Sequence, residues 1–354
     1  MRICLMNDHY YRSSGVAMAI RRIAEAAPPD VEYWFAGCGS EVYREDLSWI
    51  PADRYRRFSL KSSNPIRILV ELVRLKAWLK SNQCELVHCH HRRITALLQL
   101  AGIPVLYTGQ LAFPYAAWFR VLGPRFATAI TPSVASNLIE TTGRKPMACI
   151  GNPAGFPDSI PVIDLERVKN RAVCIARLEP IKGHTHLLSA WKILYDRGYH
   201  YQLSLVGEGS LRAELEIQAK RDGIEGLVHF CGFTNDVSTY VTDSLFAILA
   251  SEVEGQGIVT LEAAGLGKAS ILTAVTGSID LLPPNRRLPN GVPYGDPMAL
   301  ADAIEQWFLD PEEVVREGER FFRFLKASSN PHDIAQGYRR TYKQVLERLA
   351  AAAS

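Results

Sequence analysis

The sequence predicts an α/β protein of two domains, each a parallel, doubly wound sheet. Three observations predict it. Short apolar runs alternate with segments of helical periodicity along the whole chain. Glycine-bearing loops follow several of these runs and lead into helices, the order of a strand–loop–helix crossover unit. Near the middle, Asn152-Pro153 to Pro161 carries three prolines and splits the alternation into two halves. At 354 residues the chain is long enough for two ordinary domains. The expected division is 1–160, 161–330 and a closing helix over 331–354.

Arg2 to Asn7 reads as the first strand. A polar loop from Asp8 ends in Ser13-Ser14-Gly15, and Val16 to Ala27 has helical spacing at Val16, Ile20, Ile23 and Ala24. Small residues before a helix let a ligand approach the backbone, and they also make a plain turn; the loop alone leaves both open. Val31 to Gly37 is a second strand. Asn64-Pro65 opens a helix running to Lys80. Glu85 to His90, Pro104 to Gly109, Phe126 to Thr131 and Met147 to Ile150 continue as strands. In the second half, strands are expected at Ala172 to Ala176, Gln202 to Val206, Val228 to Phe233, within Asp243 to Ser251, and at Ala269 to Ala274. Helices are expected at Thr185 to Tyr195, from Ser210 to Arg221, from Ile258, at Pro297 to Leu309 and over Pro331 to Ala352.

Composition narrows the function. Hydrophobic residues make up 47% and charged residues 22%, as in soluble globular proteins. A net charge of +3 is no general nucleic-acid signature. The seven cysteines are scattered without a CxxC pair, which fits buried free thiols in a reducing, cytoplasmic setting. Ile94 to Phe119 lacks charge, but Gly102, Pro104, Gly109 and Pro114 cut it into pieces too short to span a bilayer. Met1 to Met6 runs straight into a polar loop, so no signal peptide is visible. Residues 54–80 hold eight basic residues and one acid, Glu71. Such an amphipathic segment either contacts the inner face of an anionic membrane peripherally or is an ordinary helix with a solvated basic face.

The chemistry concentrates in the second half. Glu254-Gly-Gln-Gly-Ile-Val-Thr-Leu-Glu262 joins a strand to a helix through a glycine loop, an arrangement that holds phosphate. Glu262 stands about five residues into that helix, so roughly 7–8 Å along its axis. A nucleotide sugar has parts to match in that order: sugar hydroxyls for Glu254, phosphate for the glycine amides and ribose for Glu262. Arg177 and Lys182 bracket the loop after the second half's first strand, and two cations there suit a diphosphate. At the end of the Glu85 strand, His88 and His90 share a face. His90 and His91 lie furthest along it, as functional groups or as buried, hydrogen-bonded ones. No nearby carboxylate completes a metal site, so no metal is expected.

These motifs resemble glycosyltransferase family 4, retaining enzymes of the GT-B fold. The resemblance runs most clearly from Ala172 to Ile304, through Arg177-Leu-Glu-Pro-Ile-Lys182-Gly183, Leu205-Val-Gly-Glu-Gly209, Phe230-Cys-Gly-Phe233 and the Glu254/Glu262 pair. It implies two Rossmann-like domains facing a central cleft, with the last helix crossing back to the first. It implies a nucleoside-diphosphate sugar as co-substrate, no cofactor, and a hexose passed with retention to a glycan or lipid-linked saccharide, as in bacterial polysaccharide or lipopolysaccharide synthesis. In that scheme Arg177 and Lys182 neutralise the leaving diphosphate, and Glu254 holds the donor sugar. Gln256, Gly257 and Ile258 offer amides, and Glu262 holds the ribose. Gly207 and Phe233 lie near the nucleotide, Gly15 closes over the diphosphate, and His90 or His91 is the remaining acid–base candidate.

The sequence departs from the family in places. Ser13-Ser14-Gly15 replaces a run of glycines, and Gln256 replaces a usual Phe. Gln110 stands where a Thr-x-His is common, and Pro283 to Asn290 replaces a usually smoother segment. No Asp-x-Asp occurs, which with Arg177 and Lys182 points to metal-independent transfer. Two other readings compete. One is a nicotinamide-dependent oxidoreductase, against which Arg212 occupies the third glycine position after Gly207-Glu-Gly209. The other is a non-catalytic nucleotide-sugar-binding protein of the same fold.

Overall fold

The computed structural model describes residues 1–8, 15–38, 47–111, 117–234, 236–284 and 289–352. Ser13-Ser14 and half of the Pro283–Asn290 segment fall outside them. The chain divides into two compact units, Met1–Pro153 with Asn330–Ser354, and Ala154–Ser329.

The first unit runs β1 (Arg2–Asn7), α1 (Gly15–Glu25), β2 (Glu32–Gly37), β3 (Tyr55–Arg57), α2 (Pro65–Ser81), β4 (Leu86–Cys89), α3 (Arg92–Leu100), β5 (Val105–Gly109), α4 (Ala117–Leu122), β6 (Phe126–Ala129), α5 (Pro132–Thr142) and β7 (Ala148–Cys149). The seven strands are parallel, in the order β3-β2-β1-β4-β5-β6-β7. Near-continuous burial of β1 and β4 reflects helices covering both faces. The helices start where the sequence supplies caps. Asn64 accepts from the amides of Ile66 and Arg67 ahead of α2, and Thr131 accepts from Val134 ahead of α5.

The second unit runs α6 (Leu165–Val168), β8 (Arg171–Ile175), α7 (His184–Asp196), β9 (Gln202–Val206), α8 (Arg212–Arg221), β10 (Val228–Gly232), α9 (Ser238–Thr242), β11 (Phe246–Leu249), α10 (Ile258–Gly265), β12 (Ser270–Thr273), β13 (Gly291–Val292), α11 (Pro297–Leu309) and α12 (Pro311–Ser329). Its six strands are parallel, in the order β10-β9-β8-β11-β12-β13. Trp191, Phe246 and Trp307 are fully buried and anchor its core. The last helix, α13 (Pro331–Ala351), belongs to the first unit. Its Tyr338 and Tyr342 are buried, with rings 4.8 and 5.6 Å from that of His88.

Several details differ from the sequence reading. The division falls at Pro153, ahead of 160, because the proline-rich segment is docked on the second unit. Ala154 N–H donates to Ser329 O, and Phe156 packs edge-on against Phe322. The arginine-rich stretch supplies a short edge strand, β3, which was not anticipated. Nor were α9, β13 and the long helix α12, which buries Phe321, Phe322 and Leu325.

Candidate functional site

In each sheet the strand order reverses beside the first strand, between β1 and β4 and between β8 and β11. Open α/β sheets bind ligands outside the carboxyl ends of the strands at such a point. In the second unit, the loops leaving β8 and β11 carry Arg177, Lys182 and Glu254. Glycines let them interlock. Gly183 sits at φ +68°, and a Cβ there would stand 2.0 Å from Ala250 O. Beside it, Glu252 N–H donates to Ile181 O at 2.8 Å. At Gly207, φ +146°, a Cβ would stand 2.1 Å from Ala176 O. Larger side chains at these two positions meet rigid backbone, so the loops approach only because they are glycine.

Lys182 Nζ donates to Glu254 Oε1 at 2.5 Å, with the two side chains 18% and 10% exposed. The floor beside the pair is neutral. Burial pushes His184 down to about 4, with Lys182 adding to the shift. Burial pushes the Cys174 thiol up to about 12. A neutral, low-dielectric floor strengthens the ion pair and any anion that joins it. Arg177 is exposed one turn of chain away. It contributes, after the hydrogen bonds from Ser210, to holding Glu179 below the usual carboxylate range.

Gly257 is the N-cap of α10, and Ile258 is its first residue. The leading amides of a helix point out along its axis, toward an anion. Gln256 is buried just before them, and half-exposed Glu262 follows within the helix. Phe233, 51% exposed, follows Gly232, whose carbonyl accepts from Gly207 N–H at 2.9 Å. Thus Arg177, Lys182, Gly207, Phe233, Glu254, Gln256, Gly257 and Ile258 sit on loops or a helix start at the carboxyl end of one sheet, and Glu262 lies one turn further along α10.

Gly15 and His90 belong to the first unit. Gly15 is the exposed first residue of α1. His90 is buried, and burial holds its imidazole down at about 3, so it is neutral at ordinary pH. Gln110 Nε2 lies 3.0 Å from its Nδ1. With the amide as donor, the imidazole proton rests on Nε2, a buried atom with no partner among the described residues. His88 and His90 do share a face, their rings 4.4 Å apart. His88 spans Tyr342 and Thr108, at 2.7 and 2.6 Å, and is a core residue. His91 is structural as well. Its Nδ1 accepts from Ile94 N–H at the start of α3, and its Nε2 lies 3.3 Å from Asp8.

Some contributors escaped the sequence reading. Gly277, at φ +93°, backs onto the Glu254 loop, where a Cβ would meet Gly255 O at 2.0 Å. Thr273 Oγ1 donates to Ser251 O at 2.5 Å, and Ser278 Oγ donates to Thr273 O. The glycine in Thr276-Gly-Ser278, just past a strand, was the available signal. His184 and Cys174 carried none, since their role depends on packing beneath Lys182.

Comparison with known proteins bears on the fold and on the second unit's sequence. The Glycosyl transferases group 1 model matches residues 158–322. An uncharacterized glycosyltransferase of Haemophilus influenzae is 33% identical over 109 residues, 30% of this chain and 31% of its own. The chain spans about a third of the length of the curated relatives it matches. Among solved structures, Anabaena HepE in complex with UDP and glucose aligns with a TM-score of 0.80 at 16% identity, covering 97% of this chain and 99% of that one. The lipopolysaccharide outer core galactosyltransferase WaaB aligns at 0.72 and 15% identity, over 97% and 99%. At such identities the likeness establishes the fold. Residues 158–322 are therefore similar to Glycosyl transferases group 1, and the two parallel-sheet units match the GT-B fold.

Proposed function

We propose that the chain is a retaining, metal-independent glycosyltransferase. It moves a hexose from a nucleoside-diphosphate sugar to a glycan or lipid-linked saccharide, in cell-surface polysaccharide synthesis. The observation that carries this reading is the buried Lys182–Glu254 pair at the switch point of the domain that matches the family model. The two groups meet where a donor's diphosphate and sugar adjoin. HepE was solved with UDP and glucose, and WaaB is a galactosyltransferase, which supports a nucleotide-hexose donor.

Each residue has a task. Lys182 and Arg177 neutralise the diphosphate as the bond from sugar C1 to phosphate oxygen breaks. The amides of Gly257 and Ile258 add to this charge stabilisation. Glu254 binds sugar hydroxyls and keeps Lys182 in place, and Glu262 binds the ribose hydroxyls. Phe233 offers an aromatic face to the base. Gln256 touches the donor sugar by hydrogen bonding where a Phe would pack. The acceptor hydroxyl attacks C1 on the face the diphosphate leaves, and its proton passes to the departing phosphate oxygen, so no protein base is required. His90, neutral at assay pH, acts as a hydrogen-bond donor. The seven free thiols fit a cytoplasmic site of action.

A second reading is a binding protein without turnover, favoured by Gln110 in place of a titratable group. Glycosyl transfer or slow donor hydrolysis, measured with UDP-, GDP- and ADP-hexoses, separates the two. Turnover lost in Arg177→Ala and Lys182→Gln supports the enzyme. Full activity of the double variant sinks the site assignment, and tight donor binding without turnover selects the second reading.

A further inference from the structure

The helix α2 has two apolar faces. One is the core face, where Leu72, Leu75, Trp78 and Leu79 are buried and Trp78 meets Trp34 edge-on. The other points away from the protein. Ile66, Leu69, Val70 and Val73 are 51 to 72% exposed. At about 100° per residue they form one stripe on the side opposite the core face. Folding does not require it, because the core face already attaches the helix. Scattered exposed aliphatics are normal, but a contiguous stripe marks a contact surface.

The charges say what it contacts. By the same helical geometry Arg67 and Arg74 flank the stripe on one side, Lys76 on the other, and Lys80 closes its end. All four are exposed. The helix's one acid, Glu71, is turned inward, accepting from Arg74 at 2.6 Å and from Ser59 N–H at 3.2 Å. The outer face of α2 thus combines aliphatic and cationic groups without a carboxylate. A second copy fits poorly, since either two-fold arrangement of the helices sets a basic flank against a basic flank. An anionic lipid surface fits both features, taking the aliphatics among the acyl chains and the cations among the headgroups.

We propose that α2 docks the first unit on an anionic bilayer surface, with Ile66, Leu69, Val70 and Val73 inserted and Arg67, Lys76 and Lys80 on headgroups. The proposal goes beyond the glycosyl-transfer reading and does not depend on it. The test is co-sedimentation of the full chain with phosphatidylcholine vesicles, either pure or containing about a third phosphatidylglycerol. Expected is binding to the anionic vesicles alone, weakening as salt rises. Leu69→Ser/Val73→Ser and Arg67→Gln/Lys76→Gln/Lys80→Gln should each weaken it by about tenfold or more, with unchanged melting temperature. Ile217→Ser, an exposed change on α8, should leave it as it was. No binding at low salt, equal binding to pure phosphatidylcholine, or variants that bind like the parent would each overturn the proposal. So would a concentration-dependent dimer that Leu69→Ser/Val73→Ser dissolves. Vesicle binding needs no donor, so its failure leaves the transferase reading standing, and loss of nucleotide binding leaves this one standing.

Discussion

Consider removing one partner of the Lys182–Glu254 pair. The two groups are 2.5 Å apart, 18% and 10% exposed, over a floor of neutral Cys174 and His184. Breaking a buried pair by deleting one member costs about 3–5 kcal/mol, because a bare charge stays behind. Lys182 keeps some access to water, so Glu254→Gln or Lys182→Met should each cost the second unit about 2–4 kcal/mol. The double variant leaves no bare charge and should cost about 1 kcal/mol, less than either single change, giving a coupling of about 3 kcal/mol or more between them. Hydrogen exchange in peptides covering α7 and α10 reads the second unit's stability by itself. Binding should separate the two. Lys182→Met loses a charge-assisted bond to the diphosphate, worth about 1.5–3 kcal/mol, and weakens a nucleoside diphosphate by roughly 10- to 150-fold. Glu254→Gln removes a repelling carboxylate, so it leaves the diphosphate as tight or tighter while abolishing the extra affinity due to the sugar. Additive stability costs, or equal loss of diphosphate affinity in both variants, would refute the assignment of charge to Lys182 and sugar to Glu254.

Other predictions follow from burial and backbone. Gly207→Ala and Gly277→Ala each press a Cβ into backbone at positive φ; each should cost about 2–4 kcal/mol and impair donor binding, and an unchanged melting curve would contradict the interlocked loops. His88, His90 and His184 are buried and held below their ordinary value, His90 to about 3 and His184 to about 4. Between pH 4 and the unfolded value near 6.5 the unfolded chain binds protons that the folded chain does not. Stability should therefore fall as pH drops through this window, by up to about 4 kcal/mol per pH unit for three histidines. Urea titrations at a series of pH values check it, and a flat profile would refute neutral burial. Lys268 is buried and pushed down to about 8, so folding opposes its charge. Its contribution to stability should rise as pH climbs from about 8 toward 10.5, and Lys268→Met should remove that rise.

Much of this was legible in the chain because local signals and the tertiary fold agree. Alternating strand and helix patterns, Asn64-Pro65 as a helix start, and the glycines at 183, 207 and 257 act over a few residues, and they locate the second unit's loops. Other features needed the third dimension. The Lys182–Glu254 contact joins residues far apart in sequence, and spacing could place both at one sheet edge but not pair them. His91 looked like a site residue because it ends a strand, whereas its ring is spent on capping α3 and pairing with Asp8. Helix α12 follows α11 after a single intervening residue, with Gly318 in its middle, so its period was hidden. That glycine fits because a Cβ there would stand 2.1 Å from Gly267 O. The outward stripe on α2 was visible as apolar residues, but its side of the helix was settled only by which neighbours are buried.

The central claim is that the second unit holds a nucleoside-diphosphate sugar through Lys182, Glu254 and Glu262. Thermal shift followed by calorimetric titration with UDP, GDP, ADP and their hexoses tests it most directly. The account predicts that one nucleotide stabilises the chain, by about 2.7 kcal/mol at a hundredfold excess over its Kd. It also predicts that the matching sugar nucleotide binds more tightly and that Glu262→Ala weakens both about tenfold. No stabilisation by any of them at millimolar concentration, or full binding in the Glu262→Ala variant, would contradict it.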